Sequence, residues 1–253
     1  MIYLALFFLS IVALLLRFNF YRLPKKGICV LLYHRIDDSP TNTSLDKFSI
    51  SPSTFEKQVK YLKKKGYTAI LPSEIERLKK DGAWKKNRYV LITFDDGYKD
   101  NVKAAEILNK YSMKGLFFIS TAYIGKTMNG VKMLNEDDIE RLIFLGMAIG
   151  SHSHHHTQLP NLSADEINKE ILQSLKILSR FFNVEDFAYP FGSYSQEVVN
   201  ILKQNKVKRA YIIGQKIYQI GKFSEYEIPR AIVRKSTNHT DFYLLITRGR
   251  ARI

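Results

Sequence analysis

Cysteine occurs once in this 253-residue chain, at Cys29, and tryptophan once, at Trp84. A lone thiol cannot close an internal disulfide, so cysteine usage assigns no redox compartment. Acidic residues are the minority charge, 24 against 39 Lys and Arg, which gives +15. That excess favours anionic lipid, acidic glycan or nucleic acid as a neighbour. No nucleic-acid recognition motif accompanies it, and runs such as Lys63-Lys64-Lys65 also read as solvated helix ends, where cations suit the dipole. Nucleic acid is therefore not expected as a partner. There is no repeat of fixed period and no low-complexity tract, which excludes solenoids and extended disorder. With 45% hydrophobic and 13% aromatic residues, the body is long and apolar enough for one large globular domain.

The N-terminus has its own deficit: Ile2 to Leu16 carries no charge, and Ser10 is its only polar side chain. Fifteen residues at about 1.5 Å each fall short of a ~30 Å hydrocarbon core, although Phe18 to Leu23 could extend the run past Arg17. No basic stretch precedes the run and no small-residue cleavage site follows it, so it reads as an uncleaved membrane anchor rather than a signal peptide. We therefore divide the chain into an anchor with a basic linker, 1–26, and a main domain, 27–253. Arg17, Arg22, Lys25 and Lys26 all lie after the run, which by the positive-inside bias favours a cytoplasmic domain. A cell-surface or periplasmic domain is the other placement.

Beyond the linker, strand and helix alternate. Strands are expected at 28–33, 68–71, 89–94, 115–120, 147–150, 186–189, 209–213 and 228–233. Helices are expected from Pro52 to Gly66, capped by Ser51, and at 73–80, 100–111, 136–145, 163–182 and 196–205. Such alternation implies parallel strands with helical crossovers, as a barrel or an open doubly wound sheet. The barrel fits better, because His34, Asp95, His152 and Tyr189 all follow strands, where the loops of a barrel converge on one face.

Two clusters carry chemistry. Thr93-Phe94-Asp95-Asp96-Gly97 should set two carboxylates at a sheet edge before Gly97 lets the chain turn away. Ser151-His152-Ser153-His154-His155-His156 supplies imidazoles. One carboxylate and two imidazoles can hold a divalent metal with open positions, leaving the second carboxylate as a base. Alone, Asp-Asp-Gly is a turn and a histidine run a polar loop; together they read as a metal-dependent hydrolase. His154 and His155 need not be ligands.

These residues resemble the NodB-type polysaccharide deacetylases, carbohydrate esterases that remove N-acetyl groups from chitin-like glycans, peptidoglycan and biofilm polysaccharide. The resemblance rests on three motifs in order: Thr93 to Gly97, His152-Ser153 with His156, and Phe187-Ala188-Tyr189-Pro190-Phe191-Gly192. It implies an α/β fold, a distorted (β/α)7-type barrel. It further implies Asp95 as base and Asp96, His152 and His156 as ligands of one divalent metal, zinc first, with cobalt, nickel or iron as alternatives. Tyr189, Pro190 and Phe191 would form a groove wall, with the Phe191 N–H as oxyanion donor. Tyr33-His34-Arg35 together with Ala188 to Gly192 is similar to the branch that deacetylates poly-β-1,6-N-acetylglucosamine.

The chain departs from the family pattern in two places. Ala188 stands where an arginine usually orients the base, and Arg230 could replace it from another strand or be purely structural. The family's late motifs, one centred on tryptophan and one on a histidine that acts as general acid, are missing, which leaves His34 and His239 as candidates for the acid that protonates the leaving amine; His34 also reads as a core histidine, and Tyr189 as part of a packed turn. The expected function is N-deacetylation of an N-acetylglucosamine polysaccharide by a membrane-attached enzyme. The alternatives are a deacetylase of a lipid-linked or lipopolysaccharide sugar, and a catalytically degraded glycan-binding protein. The expected partners are an N-acetylated glycan or glycolipid and, through the N-terminal segment, a membrane.

Overall fold

The computed structural model describes residues 2–17, 23–41, 43–86 and 88–251. Its helices are α1 (Ile2–Arg17), α2 (Pro52–Lys64), α3 (Ile75–Asp81), α4 (Asn101–Lys110), α5 (Glu136–Phe144), α6 (Ala164–Leu178), α7 (Gln196–Gln204) and α8 (His239–Arg248). The strands are β1 (Cys29–Tyr33), β2 (Thr68–Ala69), β3 (Tyr89–Phe94), β4 (Leu116–Ile119), β5 (Thr127–Met128), β6 (Val131–Lys132), β7 (Ala148–Ser151), β8 (Asp186–Ala188), β9 (Arg209–Ile213) and β10 (Ile228–Ile232).

Seven parallel strands close on themselves in the order β1, β10, β9, β8, β7, β4, β3, and β3 returns to β1 in a five-rung ladder from Cys29↔Val90 to Tyr33↔Phe94. This is the (β/α)7-type barrel that the resemblance implied. β2 lies outside the ring and pairs only with the start of β3, at Thr68↔Tyr89 and Ala69↔Val90, below the rungs that β3 shares with β4. An antiparallel hairpin, β5 with β6, rises from the loop after β4 and packs Met128 and Met133 on Tyr98.

Strand parity divides the core into two layers. Val30, Leu91, Leu116, Phe118, Ala148, Ala188, Tyr211 and Ile228 belong to one cluster, while their neighbours Leu31, Ile92, Phe117, Ile149 and Ala231 pack outward with α2, α4, α5 and α8. Successive strand side chains face opposite ways. Hence Leu91, Thr93 and Asp95 on β3 share the inward side with Ile228 and Arg230 on β10. Gly150, like Ala148, is an inward residue of β7, and a Cβ there would sit 2.5 Å from the Phe118 ring.

Sequence and structure differ in three elements. α8 falls where no helix was expected; Asn238 and Asp241 cap it reciprocally, each side chain on the other's backbone N–H. The hairpin is too short to leave a periodic signature. The helix at 73–80 begins as a 3-10 turn over Pro72–Glu74. No helix of the described residues is long and apolar enough to cross a membrane: α1 has 16 residues, and the extension over Phe18 to Arg22 lies outside the described residues. α1 nonetheless exposes Leu4, Phe7, Phe8 and Leu9.

Candidate metal centre and active site

Asp96, His152 and His156 meet at the C-terminal end of the barrel, with one donor atom from each within 4.8 Å of the others. His152 and His156 approach Asp96 Oδ1 through Nε2 at 3.4 and 3.2 Å. His152 Nδ1 lies 2.7 Å from Ala188 O. A carbonyl can only accept, so Nδ1 carries the proton and Nε2 presents its lone pair inward. That arrangement fixes a ligating imidazole in its useful tautomer. The donor chemistry therefore fits a divalent cation.

The local backbone explains how neighbours in sequence reach one cavity. A regular strand would send Asp95 and Asp96 to opposite faces, but Asp96 takes φ 74°. The chain turns there, and both carboxylates become buried beside His152. Ser153, His156 and Phe191 also hold positive φ, at 61°, 57° and 59°. Such left-handed non-glycine residues are costly and persist where the surroundings impose them, commonly at functional sites. The histidine loop is imposed by α6: Glu170 accepts the backbone N–H of His154 and His155 at 3.1 and 2.8 Å, and lies 2.6 Å from His155 Nδ1. His155 is exposed on this carboxylate, while His154 is buried with Nδ1 2.8 Å from Thr121 Oγ1. Neither belongs to the metal set.

Arg230 reaches Asp95 from β10. Its two terminal nitrogens donate to the two carboxylate oxygens at 2.6 and 2.8 Å, and the side chain is 0% exposed. The guanidinium that Ala188 does not provide is thus supplied from 135 residues away in the chain. Burial drives the Asp95 carboxyl up, but the charge of Arg230, then that of His152, outweighs it and holds the group below the usual carboxylate range. Burial drives the Asp96 carboxyl up, but the neighbouring His152 and His156 rings outweigh it and hold the group well below that range.

The two acid candidates are separated by the fold. His34, at the end of β1, has a buried Nδ1 with no partner, and its ring stacks on Phe48 at 4.8 Å. Burial lowers its pKa, opposed by the charges of Asp96 and Asp95, so it sits within their field. Asn101 Nδ2 donates to His34 O at 2.8 Å and Asp100 Oδ1 accepts from Ile36 N at 2.8 Å, which anchors that loop to α4. His239, by contrast, is exposed as the first residue of α8 and packs edge-on against Tyr61 at 4.7 Å. Among the described residues no contact joins it to the metal set.

The groove wall needs one correction. Parity on β8 places Ala188 inward and therefore Tyr189 outward, where its hydroxyl donates to Tyr226 O at 3.0 Å and its ring stacks on Tyr194. The Tyr189 side chain is a packing residue, as is the buried Pro190. Phe191 is the member that faces the site: it is 58% exposed and its ring lies 4.7 Å from that of His156. Trp84, half-buried against the β2 and α3 side of the core, plays no part. Sequence reasoning missed Glu170 and Asp100, whose work is to hold loops; Asp100 was legible only as the residue opening α4.

Comparison with known proteins agrees with this geometry. The polysaccharide deacetylase family matches residues 82–210, and the chain belongs to that family. YxkH of Bacillus subtilis (strain 168), provisionally named a polysaccharide deacetylase, is 30% identical over 173 residues, covering 67% of this chain and 58% of that protein. The poly-beta-1,6-N-acetyl-D-glucosamine N-deacetylase of Staphylococcus aureus (strain MSSA476) is 25% identical over 206 residues, 76% of this chain and 70% of its own length. In fold, the chain resembles Streptococcus pyogenes deacetylase PplD, solved with acetate, at a TM-score of 0.75 and 24% identity over 85% of this chain and 95% of that one. IcaB of Ammonifex degensii gives 0.73 and 20% over 89% and 97%.

Proposed function

We propose that this chain is a metal-dependent N-deacetylase acting on an N-acetylglucosamine-containing polysaccharide, held at a membrane by α1, with zinc as its native ion. The observation that carries the reading is the Arg230–Asp95 pair beside Asp96, His152 and His156: a buried, ionised carboxylate next to a set of metal donors. The substrate class is supported by the likeness to the staphylococcal enzyme.

A divalent ion on Asp96, His152 and His156 would polarise the acetyl carbonyl and lower the pKa of an attacking water. Asp95 takes the proton of that water; Arg230 keeps the carboxylate ionised and aims its oxygens into the cavity. The backbone N–H of Phe191, turned by its left-handed φ, donates to the oxygen that becomes negative as water adds. His34 carries a proton to the amine nitrogen, without which the amine leaves poorly. The exposed Phe191 ring offers the sugar an apolar face. The degraded-binder reading rests on the missing arginine and the missing late motifs, and Arg230 supplies the first of these.

The test is acetate release from N-acetylglucosamine oligomers of β-1,6 and β-1,4 linkage by protein stripped of metal and reloaded with Zn²⁺ or Co²⁺. Metal-dependent release, lost in Asp95→Asn while metal content is retained, is the expected outcome. Full turnover by Asp95→Asn, or release indifferent to metal, would remove the reading.

A further inference from the structure

In a parallel barrel, strands begin and helices end on one face, opposite the face that carries the metal centre. That opposite face carries an excess of basic side chains, with Glu185 and Glu225 paired among them. Lys64 and Lys65 close α2, Lys203 lies in the last turn of α7, and Arg88, Lys114 and Lys206 stand just before β3, β4 and β9. All six are basic side chains without a carboxylate ion pair among the described residues; the structure shows Lys65, Arg88, Lys114, Lys203 and Lys206 exposed. The helix dipole accounts for a cation in a helix's last turn. Helix ends also place Arg88, whose guanidinium donates to the C-cap carbonyl Lys65 O of α2, and Lys206, which follows the C-cap Asn205 of α7, whereas Lys114 stands clear of any helix's last turn. The mouth side is mixed in charge: Asp138, opening α5, is paired with Lys99 at 2.8 Å, and Lys126 and Lys132 stand beside the hairpin.

The apolar helix joins this same face. The chain enters β1 at its N-terminal end and is fixed there from Lys25 onward: Lys25 N donates to Thr247 O at 2.9 Å, Gln219 Nε2 donates to Lys26 O at 3.0 Å, and Ile28 bridges to Tyr218. From Arg17 to Lys25 the chain can span at most roughly 28 Å, at about 3.5 Å per residue. A body of this size is roughly 45 Å across by the usual scaling of compact domains. The C-terminal end of α1 is therefore held to the strand-entry side and cannot itself reach the mouth.

We infer that the strand-entry face of the barrel docks on an anionic phospholipid surface, with the metal centre directed away from the bilayer. The substrate is then a glycan strand that extends beyond the headgroups, not an amino sugar seated at the lipid surface. This rests on the membrane reading of α1 and is independent of the deacetylase chemistry.

The full chain can be tested in vesicles of phosphatidylcholine alone and of phosphatidylcholine with one quarter phosphatidylglycerol, carrying a headgroup quencher. Cys29 is buried, so an exposed engineered cysteine can be labelled selectively, at Lys206→Cys on the strand-entry face or Thr127→Cys on the hairpin beside the mouth. Quenching is expected to be several-fold greater at 206 than at 127. It should rise with phosphatidylglycerol, fall in 0.5 M salt, and fall again in a Lys64→Glu/Lys65→Glu/Lys114→Glu/Lys203→Glu variant whose acetate release from a soluble oligomer is unchanged. Equal quenching at the two positions, or quenching at 206 that ignores lipid charge, overturns the inference. A chain that fails to sediment with either vesicle overturns it together with the membrane reading, while acetate release separately judges the deacetylase reading.

Discussion

Asp95 and Asp96 are neighbours of the same chemistry that meet opposite partners, a guanidinium for one and two imidazoles for the other. Removing Arg230 would leave Asp95 buried without compensation, which typically costs about 3–5 kcal/mol. Arg230→Met should therefore unfold at markedly lower urea and release acetate at least roughly a hundredfold more slowly. The pH dependence should also shift. In the native protein the Asp95 pKa is depressed, so its contribution is complete above the usual carboxylate range near ~3.9 and is lost as pH falls through the lower folded value. In Arg230→Met the guanidinium that most lowers that pKa is gone while burial and His152 remain, so the pKa should rise and the loss of stability on acidification should begin at higher pH. Urea midpoints of chelated protein from acid to neutral pH separate the two behaviours. The acid candidates diverge as well: His34→Gln should slow acetate release by a factor on the order of 10² or more, the usual worth of a positioned acid, whereas His239→Gln should leave it unchanged.

At the scale of elements, strand parity decides what a motif residue can do. Tyr189 follows an inward Ala188 on β8 and so must face α7. Tyr189→Phe is then expected to lose only the bond to Tyr226 O, about 0.5–1.5 kcal/mol in thermal or urea unfolding, with acetate release intact. A fall in turnover without loss of stability would return the phenol to the groove. Gly150 makes the complementary case, for the Phe118 ring and Asp186 O already occupy the place of a Cβ at 2.5 and 3.0 Å. Gly150→Ala should cost about 1–3 kcal/mol as overpacking, read by urea unfolding, and should loosen the strand that delivers His152. Most elements were legible because apolar runs, Ser51 and Gly66 punctuate them. α8 was missed because attention fell on His239 as an isolated residue, although Asn238 with Asp241 is a capping pair that marks a helix start.

For the whole molecule, the metal centre links residues that the chain holds apart, so ion binding and folding should be coupled. Zn²⁺ at a hundred times its dissociation constant should add about 2.7 kcal/mol to the stability of stripped protein, seen as a raised unfolding midpoint, and Asp96→Ala should abolish the shift. The amino-acid order by itself determined the alternation that closes as a barrel, the end of β3 as the seat of two carboxylates, and the metal donors, because period and residue chemistry are local properties. Only tertiary structure decided that Arg230 completes Asp95, that His34 and not His239 stands in the field of the carboxylates, and that Tyr189 turns away. Those outcomes depend on which strands become neighbours and on the left-handed turn at Asp96, and neither is encoded in any single stretch of the chain.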